Sequence, residues 1–443
     1  MSENDTSVID TDKFSFPLAH SIRTFSENLL ALRDFIKLVG SLLNERQAAF
    51  MRDRRKDFFP ILAALPEEKR REMPADDFEK LKREFGADVT VEVSQEGERY
   101  HLKIGDVAAG KRLIEAIKGV QTDTKHRALL YRSALISLVS AAEWFLSQVI
   151  REYFNRYPDA IGKKEKSLSL DDLRSFGSIA DAEKYLVDVR VDDIMRSNFD
   201  DWLAFLRASL KLSATYLDPN RNAISEIFQR RHVMVHNGGL ADSVYMQKVP
   251  HELREGAQVG KAIEVPPEYL ARAIDLIETN FILIGAELWK KLAAADNERA
   301  TLLIHVAFER LRTENWGVAE GLSFFVNKDK GQSERDQLVG LLNYWQALKW
   351  QGRFEDVRQE VKEMDFSAKD ELFQLARHAL LDDRENFFRL LPGVLGGEKL
   401  SSEHLTTCPI FREMRKATEF AAFVVPPTEP SSSGLQSPGT AQE

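Results

Sequence analysis

The residues best suited to chemistry lie in the stretch FQRRHVMVHNGG, residues 228–239. It combines two arginines, two histidines and an asparagine, and it ends at paired glycines. An arginine can neutralise the charge that builds on a phosphate, and a histidine can move protons to or from ribose oxygens. RNA supplies its own nucleophile, the 2′-hydroxyl, so such a site needs no metal ion. These residue types therefore suit phosphodiester cleavage.

The spacing of the apolar residues predicts that this stretch is the end of a helix, closed by Gly238 and Gly239. The apolar stripe of that helix consists of Ile224, Ile227, Phe228 and Val235. His232 and His236 are four residues apart and lie about 40° from each other around the helix. Arg231 and His236 are five residues apart and diverge by about 140°. A second copy of the helix across a two-fold axis would bring both side chains to one point more easily than a single copy.

Two other interpretations of the stretch stay open at this point. His232 and His236 have the spacing of two zinc ligands, but Val233 occupies the position of the glutamate in the zincin pattern, and no third ligand is evident. Alternatively, the polar run only solvates a helix end and satisfies its last carbonyl groups. The negative end of the helix dipole should raise the pKa of a histidine there, which would suit proton transfer near neutral pH.

The same residues resemble the R-x4–6-H signature of the HEPN superfamily, the higher eukaryotes and prokaryotes nucleotide-binding domains. Arg231 and His236 give the x4 spacing, and Arg230 gives the x5 spacing. A polar residue after the arginine, here His232, and the continuation His-Asn-Gly-Gly are also typical of that family. The resemblance implies an all-α bundle that forms a homodimer, in which two motifs build one metal-independent endoribonuclease site. Such proteins often act in defence, stress or toxin systems.

The resemblance also implies a role for each residue. Arg231 and His236 would be catalytic, with Arg231 stabilising phosphorane-like charge and His236 acting as general base or acid. His232 and Asn237 would orient the substrate or the histidine ring. Glu143, an acid in an apolar stretch, would pair with Arg231, and the alternative is a salt bridge to a surface lysine. We expect RNA as the partner, and no cofactor and no metal ion.

Composition and charge exclude several other classes of protein. The chain has 443 residues and a net charge of −9, which argues against a surface built for non-specific DNA binding. Its single cysteine, Cys408, excludes an internal disulfide and a thiolate metal cluster. The N-terminus lacks the apolar region of a signal peptide, and no run approaches the roughly 20 apolar residues of a membrane span. We predict a cytoplasmic protein without membrane segments.

The periodicity along the chain predicts a mainly α-helical fold with one β-hairpin at residues 89–104, where alternating apolar residues flank a turn. A long apolar helix should begin near Thr122 and carry Glu143. The predicted organisation is a disordered tail at 1–12, a helical region with the hairpin at 13–120, a HEPN-type bundle at 121–295, helix pairs at 297–424 and a disordered tail at 425–443.

The helix-pair region contains three similar segments, ENWGVAEGLSFF, QGRFEDVRQEV and DDRENFFRLL. Their spacing is near the period of roughly 34 residues of tetratricopeptide repeats, which bind partners on a concave face. We therefore expect that residues 297–424 could recruit a protein. This leads to an alternative function, in which the chain is a non-catalytic HEPN scaffold for dimerisation or nucleotide binding that recruits a partner through this region.

Overall fold

The protein is described by a computed structural model that covers residues 14–65, 74–86, 91–96, 99–161, 168–395 and 400–424. Within these residues the fold is mainly α-helical, which confirms the predicted fold class. The two predicted tails, at 1–12 and 425–443, lie outside the described residues, as do parts of the predicted hairpin.

Two long antiparallel helices form the spine of the fold. Phe25 of the first helix stacks on Phe145 of the second, with 4.6 Å between ring centroids. Further along the first helix, Gln47 accepts a 2.9 Å hydrogen bond from Arg127, which comes earlier in the second helix. The elements of this region are α1 (Pro17–Arg54), a 3-10 turn (Arg55–Phe58), α2 (Phe59–Ala64), α3 (Ala75–Gly86), β1 (Val91–Glu96), β2 (Arg99–Ile104) and α4 (Val107–Arg156).

Helix α4 begins earlier than its sequence pattern predicted. Its first residue is Val107, because the Asp106 side chain accepts a 2.7 Å hydrogen bond from the backbone N–H of Ala109 and caps the helix there. The predicted start near Thr122 is therefore wrong, and the expected domain boundary at residue 120 falls inside this helix. Strands β1 and β2 precede it and pair antiparallel, with Val91 opposite Ile104.

Helix α4 is also the element that comes nearest to a membrane span. Within the described part of the chain it is the one helix long and apolar enough to cross a bilayer, and half of its apolar window is buried inside the protein. A core helix passes the same test, so the absence of membrane segments stays a prediction.

The central helices surround the long stretch of α4 after residue 130. They are α5 (Leu170–Ser175), α6 (Ile179–Met195), α7 (Phe199–Ala208), α8 (Arg221–His236), α9 (Ser243–Lys248) and α10 (Pro267–Leu292). Phe228 anchors α8 in this core, since its ring lies against Phe199, Trp202 and Phe281 at centroid distances of 5.8, 5.3 and 6.2 Å. The helix that carries the motif is thus fixed through Ile224, Ile227 and Phe228, whereas Val235, which was predicted to share their stripe, is 45% exposed.

The C-terminal part consists of helix pairs joined by turns of one type. The helices are α11 (Glu298–Arg312), α12 (Trp316–Lys328), α13 (Glu334–Trp350), α14 (Arg358–Glu363), α15 (Glu371–Leu380), α16 (Arg384–Val394) and α17 (Ser402–Thr407). Three turns contain a residue with positive φ, namely Glu314, Gly352 and Asp382. In each turn the next N–H bonds to the carbonyl five residues earlier, which closes a helix end. The three similar sequence segments therefore share a turn geometry, and the tetratricopeptide-like interpretation stays a prediction.

Buried side chains divide into two main cores that do not follow the predicted boundary near residue 296. The first core extends from Leu18 to Val326 and includes residues of α11 and α12. The second extends from Leu338 to Phe420. A buried ion network links the first core, because Glu278 of α10 accepts hydrogen bonds from Arg310 at 2.7 Å and from Arg33 at 3.0 Å.

Candidate active site

The turn after His236 holds the end of α8 in a defined position. The N–H groups of Asn237 and Gly239 both donate to the carbonyl of Val233, at 3.0 Å each. Gly238 and Gly239 have φ of +63° and +87°, a region that residues with a Cβ rarely adopt. The Asn237 side chain donates a 2.6 Å hydrogen bond to the carbonyl of Leu240. Asn237 therefore shapes the turn, and the exposed His236 ring projects from the last residue of the helix.

An arginine from α4 completes this helix end. The guanidinium of Arg132 donates to the carbonyls of Met234 and Gly238. A cation at the C-terminus of a helix satisfies the free carbonyls and interacts favourably with the helix dipole. The sequence interpretation missed Arg132, because it lies 102 residues before Met234 and belongs to no motif. Arg132 adds a second guanidinium near His236.

Arg231 forms an ion pair with Glu143. This is one of the two partners that the sequence left open for Glu143, the other being a surface lysine. The Nη2 atom of Arg231 lies 3.3 Å from the Oε2 atom of Glu143, and the side chains are 24% and 32% exposed. Burial raises the pKa of the Glu143 carboxyl, and the positive charge of Arg231 opposes this shift. The Nε atom of Arg231 makes no hydrogen bond within the described residues. This nitrogen is buried, so only the exposed remainder of the guanidinium can reach a substrate.

The two histidines of the motif lie against each other on the surface. The ring centroids of His232 and His236 are 4.6 Å apart, with 43° between the ring planes. The pKa of His232 is lowered, first by partial burial and then by the positive charges of His236, Lys248 and Arg231, while Asp242 opposes the shift. The pKa of His232 is thus set by burial and by its charged neighbours.

Arg230, which would give the x5 spacing, lies inside the protein and not in the candidate active site. It is 1% exposed and bonds to Glu226 and to the carbonyl of Glu264, both at 2.7 Å. Its guanidinium lies 3.8 Å from the ring centroid of Tyr269. Successive helix residues are about 100° apart, so Arg230 must point elsewhere once Arg231 faces α4. Arg230, which the x5 spacing offered as a supporting residue of the motif, therefore makes structural contacts inside the protein.

Together these groups form a cluster of basic side chains at the end of α8. We call Arg132, Arg231, His232, His236 and Lys248 the basic cluster. Arg231 is turned towards α4, whereas His236 lies with His232 on the exposed surface. Among the described residues no His, Cys, Asp or Glu joins the two histidines in a group of three that could hold a metal ion. The cluster offers hydrogen-bond donors and imidazole groups to an anion.

Comparison of the chain with protein-family models, curated proteins and solved structures found no match.

Proposed function

We propose that the chain is a metal-independent endoribonuclease of HEPN type that acts as a homodimer. The observation that carries the proposal is the basic cluster, in which Glu143 holds Arg231 and a rigid turn presents His236 to solvent. The net charge of the chain is −9, so this concentration of positive groups runs against the overall charge. An anionic substrate such as RNA would be attracted to it.

The proposed reaction uses the ribose as nucleophile. His236, as general base, takes the proton of the 2′-hydroxyl, and the 2′-oxygen attacks the adjacent phosphorus. The bond from phosphorus to the 5′-oxygen breaks, and this oxygen takes a proton from a general acid, the other copy's imidazolium or water. The guanidinium of Arg231 stabilises the negative charge that builds on the phosphoryl oxygens. The products are a 2′,3′-cyclic phosphate and a 5′-hydroxyl.

The surroundings of His236 support a dimer. Val235, Leu240 and Val244 are 45%, 44% and 46% exposed next to the motif. A second copy that covers these apolar side chains would remove them from water. It would also bring its own motif to the site, which the angular divergence of Arg231 and His236 favours.

The first experiment incubates the protein with labelled single-stranded RNA in EDTA. We expect cleavage by the wild type and a loss of about 100-fold or more in Arg231→Ala and His236→Ala. Arg221→Ala is the matched arginine control, since Arg221 also lies on α8 and pairs with Asp200 at 2.7 Å. His404→Ala, on α17, is the histidine control. Intact RNA with the wild type contradicts the proposal, and equal cleavage by all variants contradicts the residue assignment.

A second experiment tests whether the site is shared. Arg231→Ala and His236→Ala protomers are mixed and allowed to exchange. After exchange, half of the dimers are mixed. If Arg231 of one copy works with His236 of the other, each mixed dimer keeps one of the two Arg231–His236 pairs of the wild type, so about a quarter of the activity returns. No recovery, despite proven exchange, would show that each copy contains its whole site. A stable dimer that never cleaves RNA would favour the scaffold function instead.

A further inference from the structure

The half of α4 before residue 132 carries a regular row of basic residues. Lys111, Lys118, Lys125 and Arg132 follow each other at intervals of seven residues. The three lysines are exposed, and none has an ion-pair partner in the part of the chain that the structure describes. A seven-residue interval returns to nearly the same side of a helix, with a drift of about 20°. We call the surface that carries these four residues the lysine face.

The packing of α4 before residue 132 decides where the lysine face points. The buried positions on this half of α4 also recur every seven residues, at Ala109, Ala116, Asp123 and Leu130. Asp123 pairs with Arg46 of α1, and Ala109 packs with Phe59 of α2 and Phe85 of α3. Each basic residue follows one of these by two positions, which corresponds to about 200° around the helix. The lysine face is therefore directed away from the elements that pack on this half of α4, and its lysines are exposed to solvent.

Helix α8 covers the continuation of this face. Glu143 comes eleven residues after Arg132, so the two lie about 20° apart around α4. Both contact the end of α8, Glu143 through Arg231 and Arg132 through the carbonyls of Met234 and of Gly238 in the turn. Because α8 ends at His236, no helix among the described residues continues over this side of α4, and Lys125, Lys118 and Lys111 are exposed. The lysine face thus runs directly into the basic cluster.

The charge balance of this segment is opposite to that of the chain. Between residues 107 and 132 there are six lysines and arginines and two acids, in a protein of net charge −9. Asp123 is buried and lies 3.6 Å from Arg46. Glu115 lies 3.9 Å from Arg54 of α1. Asp123 is turned towards α1, whereas Glu115 is exposed within one turn of Lys111 and Lys118 and offsets part of their charge. With six basic residues against two acids, the segment keeps a net positive charge.

We propose that Lys111, Lys118 and Lys125 bind the sugar–phosphate backbone of single-stranded RNA and lead it to Arg132 and His236. Seven residues of helix correspond to about 10.5 Å, and the row from Lys111 to Arg132 spans about 31 Å. Exposed lysines act as point charges that neutralise phosphates without reading sequence. The inference rests on the proposed ribonuclease function for its substrate, and it adds where the strand lies outside the site.

Binding is measured by fluorescence anisotropy with an end-labelled single-stranded RNA of mixed sequence. All proteins carry His236→Ala, so that the RNA stays intact, and salt is varied from 50 to 200 mM. The test variant is Lys111→Gln/Lys118→Gln/Lys125→Gln. The matched control is Lys184→Gln/Lys330→Gln/Lys362→Gln, which changes the net charge equally at exposed lysines elsewhere.

The expected result is a flatter salt dependence in the test variant. For single strands each neutralised phosphate contributes about 0.7 to the slope of log K against log salt, so three contacts contribute about 2. This corresponds to a loss of up to about 100-fold in affinity at 0.1 M salt. The control variant should bind RNA with the same affinity and salt dependence as the protein that carries only His236→Ala.

Three outcomes separate this inference from the proposed function. If the wild type cleaves RNA but the test variant shows the same salt dependence of binding, the role of the lysine face is overturned and the ribonuclease proposal stands. If the test variant alone loses RNA binding and the wild type never cleaves RNA, the lysine face is confirmed as an RNA-binding surface and the ribonuclease proposal is contradicted. If phosphatidylserine vesicles bind through the three lysines and RNA does not, the face is a membrane surface and the inference is overturned.

Discussion

At the residue scale, the surroundings of His232 change its ionisation. Its pKa lies below 6.5 because partial burial and the nearby charges of His236, Lys248 and Arg231 disfavour the imidazolium. A histidine with a lowered pKa stays neutral at neutral pH. His232 therefore provides a neutral ring against His236, which suits a role in orienting that ring and not in carrying charge.

We predict that the pKa of His232, measured by NMR titration of its ring protons, lies below 6.5 and rises in His236→Gln. The substitution removes one of the positive charges that lower it. Because the folded protein binds this proton less readily than the unfolded chain, stability from His232 is present above pH 6.5. It is lost as pH falls through the lower folded value. His404→Ala is the control, and an unchanged pKa in His236→Gln would contradict the charge coupling.

Arg230 and Arg231 are adjacent in the sequence but have different surroundings. Two neighbouring arginines fit the same motif with different spacing, and the sequence offers no means to choose between them. The structure separates them because Arg231 meets Glu143 on α4, whereas Arg230 lies over Tyr269 in the core. Burial of Arg230 with Glu226 leaves it no route to a substrate at His236.

At the element scale, the end of α8 determines how well the motif is placed. The backbone of Gly238 and Gly239 must adopt positive φ for the chain to turn after His236. Arg132 then satisfies two of the carbonyls that the turn exposes. The cap is thus built from residues on two helices, and its rigidity fixes the His236 side chain at the surface.

Substitutions in the turn should separate backbone strain from crowding. Gly238→Ala places a Cβ in open space at φ +63° and should cost about 1–2 kcal/mol in the free energy of unfolding. Gly239→Ala should cost more, since its Cβ would also lie 3.3 Å from the Sδ of Met234. Gly110→Ala, inside α4 with nothing within 4 Å, is the control and should stabilise by about 0.5–1 kcal/mol. Urea denaturation measures all three, and equal losses for Gly238→Ala and Gly239→Ala would exclude crowding.

At the scale of the whole molecule, a buried ion network joins helices that are distant in the sequence. Arg310 of α11 donates to Glu278 of α10 and, at 2.8 Å, to the carbonyl of Ser26 in α1. Arg33 of α1 bonds to Glu278 and, at 2.7 Å, to Asp275. Glu278 is fully buried. The network holds α11 against the spine and makes this helix part of the first core.

We predict that Arg310→Met destabilises the protein by about 3–5 kcal/mol, because it leaves the buried Glu278 carboxylate without its closest partner. The double variant Arg310→Met/Glu278→Gln should recover much of this loss, since Arg33 keeps Asp275. Arg312→Met, which removes an exposed pair with Glu309 in the same helix, should change stability by less than about 0.5 kcal/mol. If the double variant is as unstable as Arg310→Met, the loss of stability comes from lost packing and not from the unpaired charge of Glu278.

The sequence by itself determined the features that depend on neighbouring residues. Apolar periodicity predicted the helical fold, and the paired glycines marked the end of α8 at His236, because capping and helical spacing are local properties. It also placed Glu143 in a long helix and offered Arg231 as its partner. The seven-residue row of lysines is visible in the printed chain, but the chain alone does not show which side of α4 is covered.

Only the tertiary structure decided the features that depend on contacts between distant residues. It placed Arg132 on the end of α8, removed Arg230 from the site and included α11 and α12 in the first core. It also left the lysine face open, because the elements that pack on this half of α4 lie on its other side and α8 ends at His236. Local spacing gives a side chain its direction around its own helix. The packing of the helices on one another then decides which side chains are buried and which are exposed to water.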